Sequence, residues 1–254
     1  MSQIDRLATL IDRFRLSVQP ASLPEATLVV TMDKAGTAQK VYFGATMPMH
    51  TILNQAVLFA AKVDWGGGSN PMVAALPDSV EFNLFDDAES TALVALMQSE
   101  ILEQRCGVDC VINRLGEVLI VRILRAQIEA GSAQSGVLAG LADPRLSRAI
   151  VAIHDQPGKS WRNEELAQVA GLSLSHFAEK FLNAVGEPPA SYLRRWRLTL
   201  ARQDVIKGDR VDAVSRRYGY TSAEGFARAF KKHFGENPIT LRLRITANGV
   251  KSLG

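Results

Sequence analysis

Four landmarks of this chain recur at one fixed interval: Phe177, Phe181, Gly186 and Pro189 return forty-nine residues later as Phe226, Phe230, Gly235 and Pro238. The triplet Gly171-Leu172-Ser173 returns as Gly219-Tyr220-Thr221 at an interval shorter by one. Each element of the pattern has a local meaning. A glycine suits the left-handed turn that closes a helix, and Ser or Thr caps the next one. Two phenylalanines at i and i+4 share a helical face, and a proline opens a further helix at its first turn. The stretches from Asn163 to Pro189 and from Val211 to Pro238 therefore both read as helix-turn-helix units.

A recognition helix presents small or polar residues to base edges while aromatics fix its other face in a mini-core. Phe177 and Phe181 anchor the first such helix, leaving Ser175, His176, Ala178 and Glu179 outward. Phe226 and Phe230 anchor the second, leaving Ala223, Glu224, Ala227 and Arg228 outward. Those eight are the candidate base readers, and Arg228 leads them because arginine bonds guanine bidentately. Glu224 also fits a capping box with Thr221 as N-cap, a structural role. Glu179 can accept from cytosine N4 or weaken its half of the contact. Lone helical histidines such as His176 and His233 are more often surface or packing residues than switches.

Between the units, Pro188-Pro189 opens a helix expected to run to Lys207, about 28 Å at 1.5 Å per residue. Adjacent major grooves on one face of DNA lie about 34 Å apart, so one chain can engage two of them. Arg194, Arg195, Arg197 and Arg202 line this helix. Arg194, Arg195, Arg197, Lys231 and Lys232 are the candidate phosphate contacts, which set register without reading sequence.

Charge supports this reading. Residues 1–142 carry 10 Lys and Arg against 15 Asp and Glu, whereas residues 143–254 carry 19 against 11. Only the second half has the cation surplus that neutralising phosphates requires. No run of about 18 apolar residues suggests a membrane span, and the charged, amphipathic opening differs from a signal peptide. A cytoplasmic protein without a membrane partner is expected. Cys106 and Cys110 are too few for a disulfide scaffold and read as two small, half-buried residues. Four scattered histidines, with no Gly-x-Ser-x-Gly, HExxH or Cys-His set, give an enzyme no support. Neither a cofactor nor a metal is expected.

In the first half, Ile4, Leu7, Leu10, Ile11 and Phe14 predict a helix over residues 3–16, lying on a sheet. Thr27 to Met32 and Lys40 to Phe43 predict a hairpin around Asp33-Lys34-Ala35-Gly36. Ile52 to Val63 predicts a long strand and Ser79 to Leu84 a short one. Between these, Trp65-Gly66-Gly67-Gly68-Ser69-Asn70-Pro71 reads as a turn, since it lacks the Lys-Ser/Thr of a phosphate loop. Asp87 to Glu103 and Asp109 to Glu129 predict a helical hairpin whose apolar surplus packs on the sheet or forms a dimer interface. The uncharged Gly131 to Ala142 reads as a linker. Asp143-Pro144 then caps a helix running to about Gln156. The expected fold class is α+β: a small N-terminal sheet with a helical hairpin, then an all-α domain with two helix-turn-helix units joined by a long helix. The expected divisions are 1–130, linker 131–142, 143–246, and a tail 247–254.

From Leu166-Ala167 and Gly171-Leu172-Ser173, through Gly186, Pro189, Tyr192-Leu193, Arg197-Leu198 and Ala201-Arg202, to Gly219-Tyr220-Thr221-Ser222, Phe226 to Lys231 and Phe234 to Pro238, the chain resembles AraC/XylS-type transcriptional regulators over residues 143–244. Phe59 to Asp64, Asn70 to Pro77 and the helices up to Ile128 resemble the cupin-type sensing domain of that family in shortened form, without its His-x-His metal motif, since His50 stands alone. The resemblance implies recognition helices over 174–185 and 222–234. It also implies partners: double-stranded promoter DNA, RNA polymerase, and a small-molecule effector or a second copy acting through the first domain. Relatives commonly carry a basic residue where this chain has Glu179. The alternative is a helix-turn-helix regulator that acts mainly through protein contacts and holds DNA weakly.

Overall fold

A computed structural model describes Leu7, Ile11 and residues 16–44, 47–65, 79–131 and 136–251, with side chains through residue 245. The chain divides into two compact units, Phe14–Ala142 and Asp143–Gly254 with Met1–Arg13. Most of the helix expected over residues 3–16, and the triple-glycine turn, lie outside the described residues. Ile11 N does donate to Leu7 O at 2.9 Å, one helical step.

The first unit is built on a five-stranded antiparallel sheet: β1 (Ser17–Pro20), β2 (Leu28–Met32), β3 (Ala38–Phe43), β4 (Ala56–Asp64) and β5 (Val80–Asn83), in the order β1-β4-β2-β3-β5. The expected hairpin is β2 and β3, with Val29 opposite Tyr42. As a central strand covered on both faces, β2 buries four successive residues instead of alternating.

Three boundaries differ from the sequence reading. Ile52 ends a short helix, α1 (Met49–Ile52), so the long strand starts only at Ala56. The apolar run had joined two elements. Ser17–Pro20, unanticipated, pairs with β4 through Val18 opposite Val63. Val137–Ala142, within the stretch read as linker, is a helix that buries Val137, Leu138 and Leu141.

The helical hairpin forms as expected, as α2 (Ala88–Glu103) and α3 (Val108–Glu129). Gly116 of α3 lies over β1, where a Cβ would come within 2.7 Å of the Val18 side chain, so this glycine sets how closely helix and strand approach. At the head of α2, Asp87 accepts from Ser90 N at 3.0 Å and from Arg122 of α3 at 2.7 and 2.8 Å. Burial pushes this carboxyl upward, but Arg122 and Ser90 outweigh it and bring it down to about 2. Cys106 and Cys110, expected half-buried, are exposed, the first in the turn before α3 and the second in the first turn of α3.

Val137–Ala142, α4, closes the first unit, and the second is built of α5 (Leu146–Asp155), α6 (Asn163–Ala170), α7 (Leu174–Val185), α8 (Pro189–Ile206), α9 (Val211–Arg217), α10 (Ala223–Phe234) and α11 (Pro238–Lys251). The regular helix α5 begins two residues after the predicted Pro144, with Arg145 rather than Asp143 as its N-cap, though Asp143 Oδ1 still accepts from Leu146 N at 3.0 Å. The last helix carries on past residue 246, through part of the expected tail.

Candidate nucleic-acid interface

The duplication is reproduced residue for residue in the second helix of each unit. Helices α7 and α10 have 12 residues each, start forty-nine apart, and end at glycines in the left-handed region, Gly186 at φ 86° and Gly235 at φ 76°. Their anchoring rings match as well. Phe177 and Phe181 meet edge-on with centroids 5.6 Å apart, and Phe226 and Phe230 at 5.5 Å. All four are fully buried.

The turns before these helices differ by one residue, which moves the cap. In the second unit the residue between Gly219 and the helix is one more than in the first, so Ser222, not Thr221, is the N-cap: its Oγ accepts from Gly225 N at 3.0 Å. The predicted Thr221–Glu224 capping box therefore does not form, and Glu224 is exposed.

Helix α8 connects the two units and belongs to both cores. Phe181 packs edge-on against its Tyr192 at 5.7 Å, and Trp196 stacks at 4.2 Å on the buried His154 of α5. His154 Nε2 lies 2.5 Å from the Tyr192 hydroxyl. Burial, and after it the Arg195 guanidinium, hold this imidazole down to about 3. Toward the other end Arg202 sits over the Phe234 ring at 5.5 Å. The helix has 18 residues, a length of about 27 Å.

Of the eight candidate readers, Ser175, His176, Glu179, Ala223, Glu224 and Arg228 are exposed, while Ala178 and Ala227 are half-buried at equivalent positions. Lys231 and Lys232 are exposed in the last turn of α10. The arginines of α8 are not equivalent to one another. Arg194 is exposed. Arg195, half-buried, is paired with Glu187 at 2.6 Å and lies over the Tyr192 ring.

Arg197 is directed inward. Its Nε donates to Pro157 O at 2.6 Å and its terminal nitrogen to Lys159 O at 2.7 Å. Two of its three guanidinium nitrogens are thus engaged by carbonyls of the loop after α5, unlike those of Arg194. The same loop is pressed against the second unit: a Cβ on Gly219 would lie 2.7 Å from Gly158 O. Sequence offered no sign of this clamp, whose partners are about forty residues from Arg197. Also unanticipated is the pairing of Lys180, the one cation of α7, with Asp143 at 2.6 Å.

Two helix-turn-helix units on a shared connecting helix, with equivalent exposed faces, define the architecture of this half. A helix-turn-helix domain family matches residues 166–244, and a cupin family matches residues 11–129. A protein described as an AraC-like transcription regulator from Streptomyces antibioticus is 37% identical over 154 residues, covering 60% of this chain and 50% of that protein. The HTH-type transcriptional regulator AlkR of Acinetobacter baylyi is 31% identical over 196 residues, 74% of this chain and 63% of its own length. Among solved structures, the DNA-binding domain of AdpA in complex with a target DNA is 25% identical, covering 42% of this chain and 96% of that one, with a TM-score of 0.39. The chain spans about half the length of the first of these relatives. The chain thus pairs a cupin-family domain with a helix-turn-helix domain, and over both it is similar to AraC-type regulators.

Proposed function

We propose that this protein is a sequence-specific DNA-binding transcription regulator that places α7 and α10 in successive major grooves of promoter DNA. The observation that carries this reading is the repeated helix: two 12-residue helices with equivalent buried phenylalanines and largely equivalent exposed positions, joined by a helix of 18 residues. A connecting helix of about 27 Å is commensurate with grooves about 34 Å apart once the width of the flanking helices is added. Arg228 is the leading guanine reader, and Arg194, Lys231 and Lys232 are the phosphate contacts. The cupin domain modulates DNA binding through a small effector or a second copy, with RNA polymerase as the downstream partner, in the cytoplasm. No helix among the described residues is long and apolar enough to cross a membrane.

The test is footprinting of the purified full chain on its own upstream region at several salt concentrations. Two protected patches one helical turn apart are expected, with affinity falling steeply as salt rises. Unprotected DNA at low salt would leave the protein-contact reading in its place.

A further inference from the structure

The forty-nine-residue register that superposes α7 on α10 also exposes an inversion of chemistry. Glu179 and Arg228 occupy the same position, two residues after the first buried phenylalanine, and both are exposed. Neither side chain pairs with any described residue. Leu182 and Asn183 stand where α10 has Lys231 and Lys232, and all four are exposed. The cation that α7 does carry, Lys180, is occupied by Asp143 at 2.6 Å. Over whole units the contrast persists. Residues 163–185 carry Lys180 against Glu164, Glu165 and Glu179, a balance of −2; residues 211–234 carry five Lys and Arg against Asp212 and Glu224, a balance of +3.

Resting on the DNA-binding reading above, we propose that the two units act unequally on DNA. The α10 unit supplies the phosphate-neutralising charge. The α7 unit enters its groove without free cations, and Glu179 selects a cytosine by accepting a hydrogen bond from the N4 amino group. Physical chemistry favours this division. A carboxylate next to phosphates is repelled over roughly a Debye length, about 8 Å at physiological salt, so it is tolerated only where it gains a specific donor. In the major groove cytosine offers that donor, and guanine offers the two acceptors that suit Arg228. Equivalent positions on equivalent helices would then read opposite members of a G·C pair. A duplicated scaffold thereby distinguishes its two half-sites and fixes the orientation of an otherwise symmetric pair of heads.

The experiment uses the full chain and a selection from randomised DNA duplexes, followed by salt titrations on the selected duplex. Wild type is expected to select one position with cytosine in the half-site of α7. Glu179→Gln should erase that preference, roughly five- to a hundredfold, and leave the other half-site intact. Its salt slope should not fall, whereas Lys231→Gln and Lys232→Gln should each lower the slope by about one. Glu179→Arg should exchange the cytosine for guanine and steepen the slope by about one. Thermal melts check that each variant folds. An unchanged selected sequence with Glu179→Gln, or unchanged slopes in both lysine variants, overturns the inference while DNA binding stands. If α7 serves a protein partner instead, its half-site is absent from the selected duplex, and the inference fails. No selected duplex for the wild type at low salt takes down the DNA-binding reading itself.

Discussion

Tyr218, at the end of α9, donates its hydroxyl to Asp204 Oδ2 of α8 at 2.6 Å. The same oxygen accepts from Arg217 at 2.6 Å, and Arg217 also reaches Asp209 at 2.7 Å. Asp204 is 6% exposed, so these two donors take the place of water at its carboxylate. They latch the second helix-turn-helix unit to the connecting helix.

Asp204→Ala is therefore expected to remove the acceptor shared by the Tyr218 hydroxyl and Arg217 and to cost about 1–3 kcal/mol. The outer partner contributes less, because Arg217 is half exposed and its ion pairs are screened by water. Urea unfolding of the full chain followed by helical circular dichroism reads the shift in midpoint. A midpoint equal to wild type would show that the latch is not what holds α9 to α8.

The buried histidine leads to a pH dependence. In the unfolded chain an imidazole takes up its proton near pH 6.5; in the fold, burial and then Arg195 hold His154 down to about 3. Between those values the unfolded state binds the extra proton, so stability is fully present above about pH 6.5 and is lost as pH falls toward 3. The slope contributed by this residue approaches about 1.4 kcal/mol per pH unit. His154→Phe removes the titration, and its urea midpoints at about pH 7 and about pH 5 should differ less than those of wild type. Equal pH dependence in the two proteins would assign the effect elsewhere.

What was legible in the sequence is what repeats or alternates. Glycine, phenylalanine and proline at a fixed interval located α7 and α10 to within a residue, because each of those residue types answers a local backbone or packing requirement. The β-branched runs located β2 and β3. The four residues of Ser17–Pro20 were missed because Val18 is their one fully buried position, and four residues with one inward side chain make no pattern. Val137–Ala142 looked like a flexible linker because its residues are small, yet burial of Val137, Leu138 and Leu141 orders it. The largest gap lies in the arginines of α8. Their spacing marks a basic helix, but the partners that separate Arg194 from Arg197 come from a loop about forty residues away, which no local pattern records.

Those two arginines give opposite expected phenotypes. Arg194→Gln removes an exposed cation and should leave stability within about 0.5 kcal/mol of wild type. On DNA it should weaken all sequences alike and lower the salt slope by about one. Arg197→Ala removes both donors to Pro157 O and Lys159 O and should cost about 1–3 kcal/mol of stability. Melting curves paired with salt titrations separate the two. A normal melt together with a reduced salt slope for Arg197→Ala would return that residue to the phosphate contacts.

The loop that Arg197 holds also approaches the backbone of the second helix-turn-helix unit closely. A Cβ on Gly158 would lie 2.3 Å from the backbone oxygen of Arg217, far inside any real carbon–oxygen contact. Across the same seam Gly219 adopts φ +73°, and its Cβ would meet Gly158 O at 2.7 Å. Both obstacles are main chain, so a substituted side chain cannot be absorbed by a rotamer change. Gly158→Ala should cost about 1–3 kcal/mol through overpacking. Although Gly158 precedes the first unit in sequence, the damage should appear in the second. Amide exchange is expected to accelerate at Gly219 and through the first turn of α10, while the amides around Phe177 and Phe181 keep their protection. Exchange that quickens equally in both units would mean that the seam transmits strain through α8 rather than locally; unchanged exchange would mean that the loop shifts without cost.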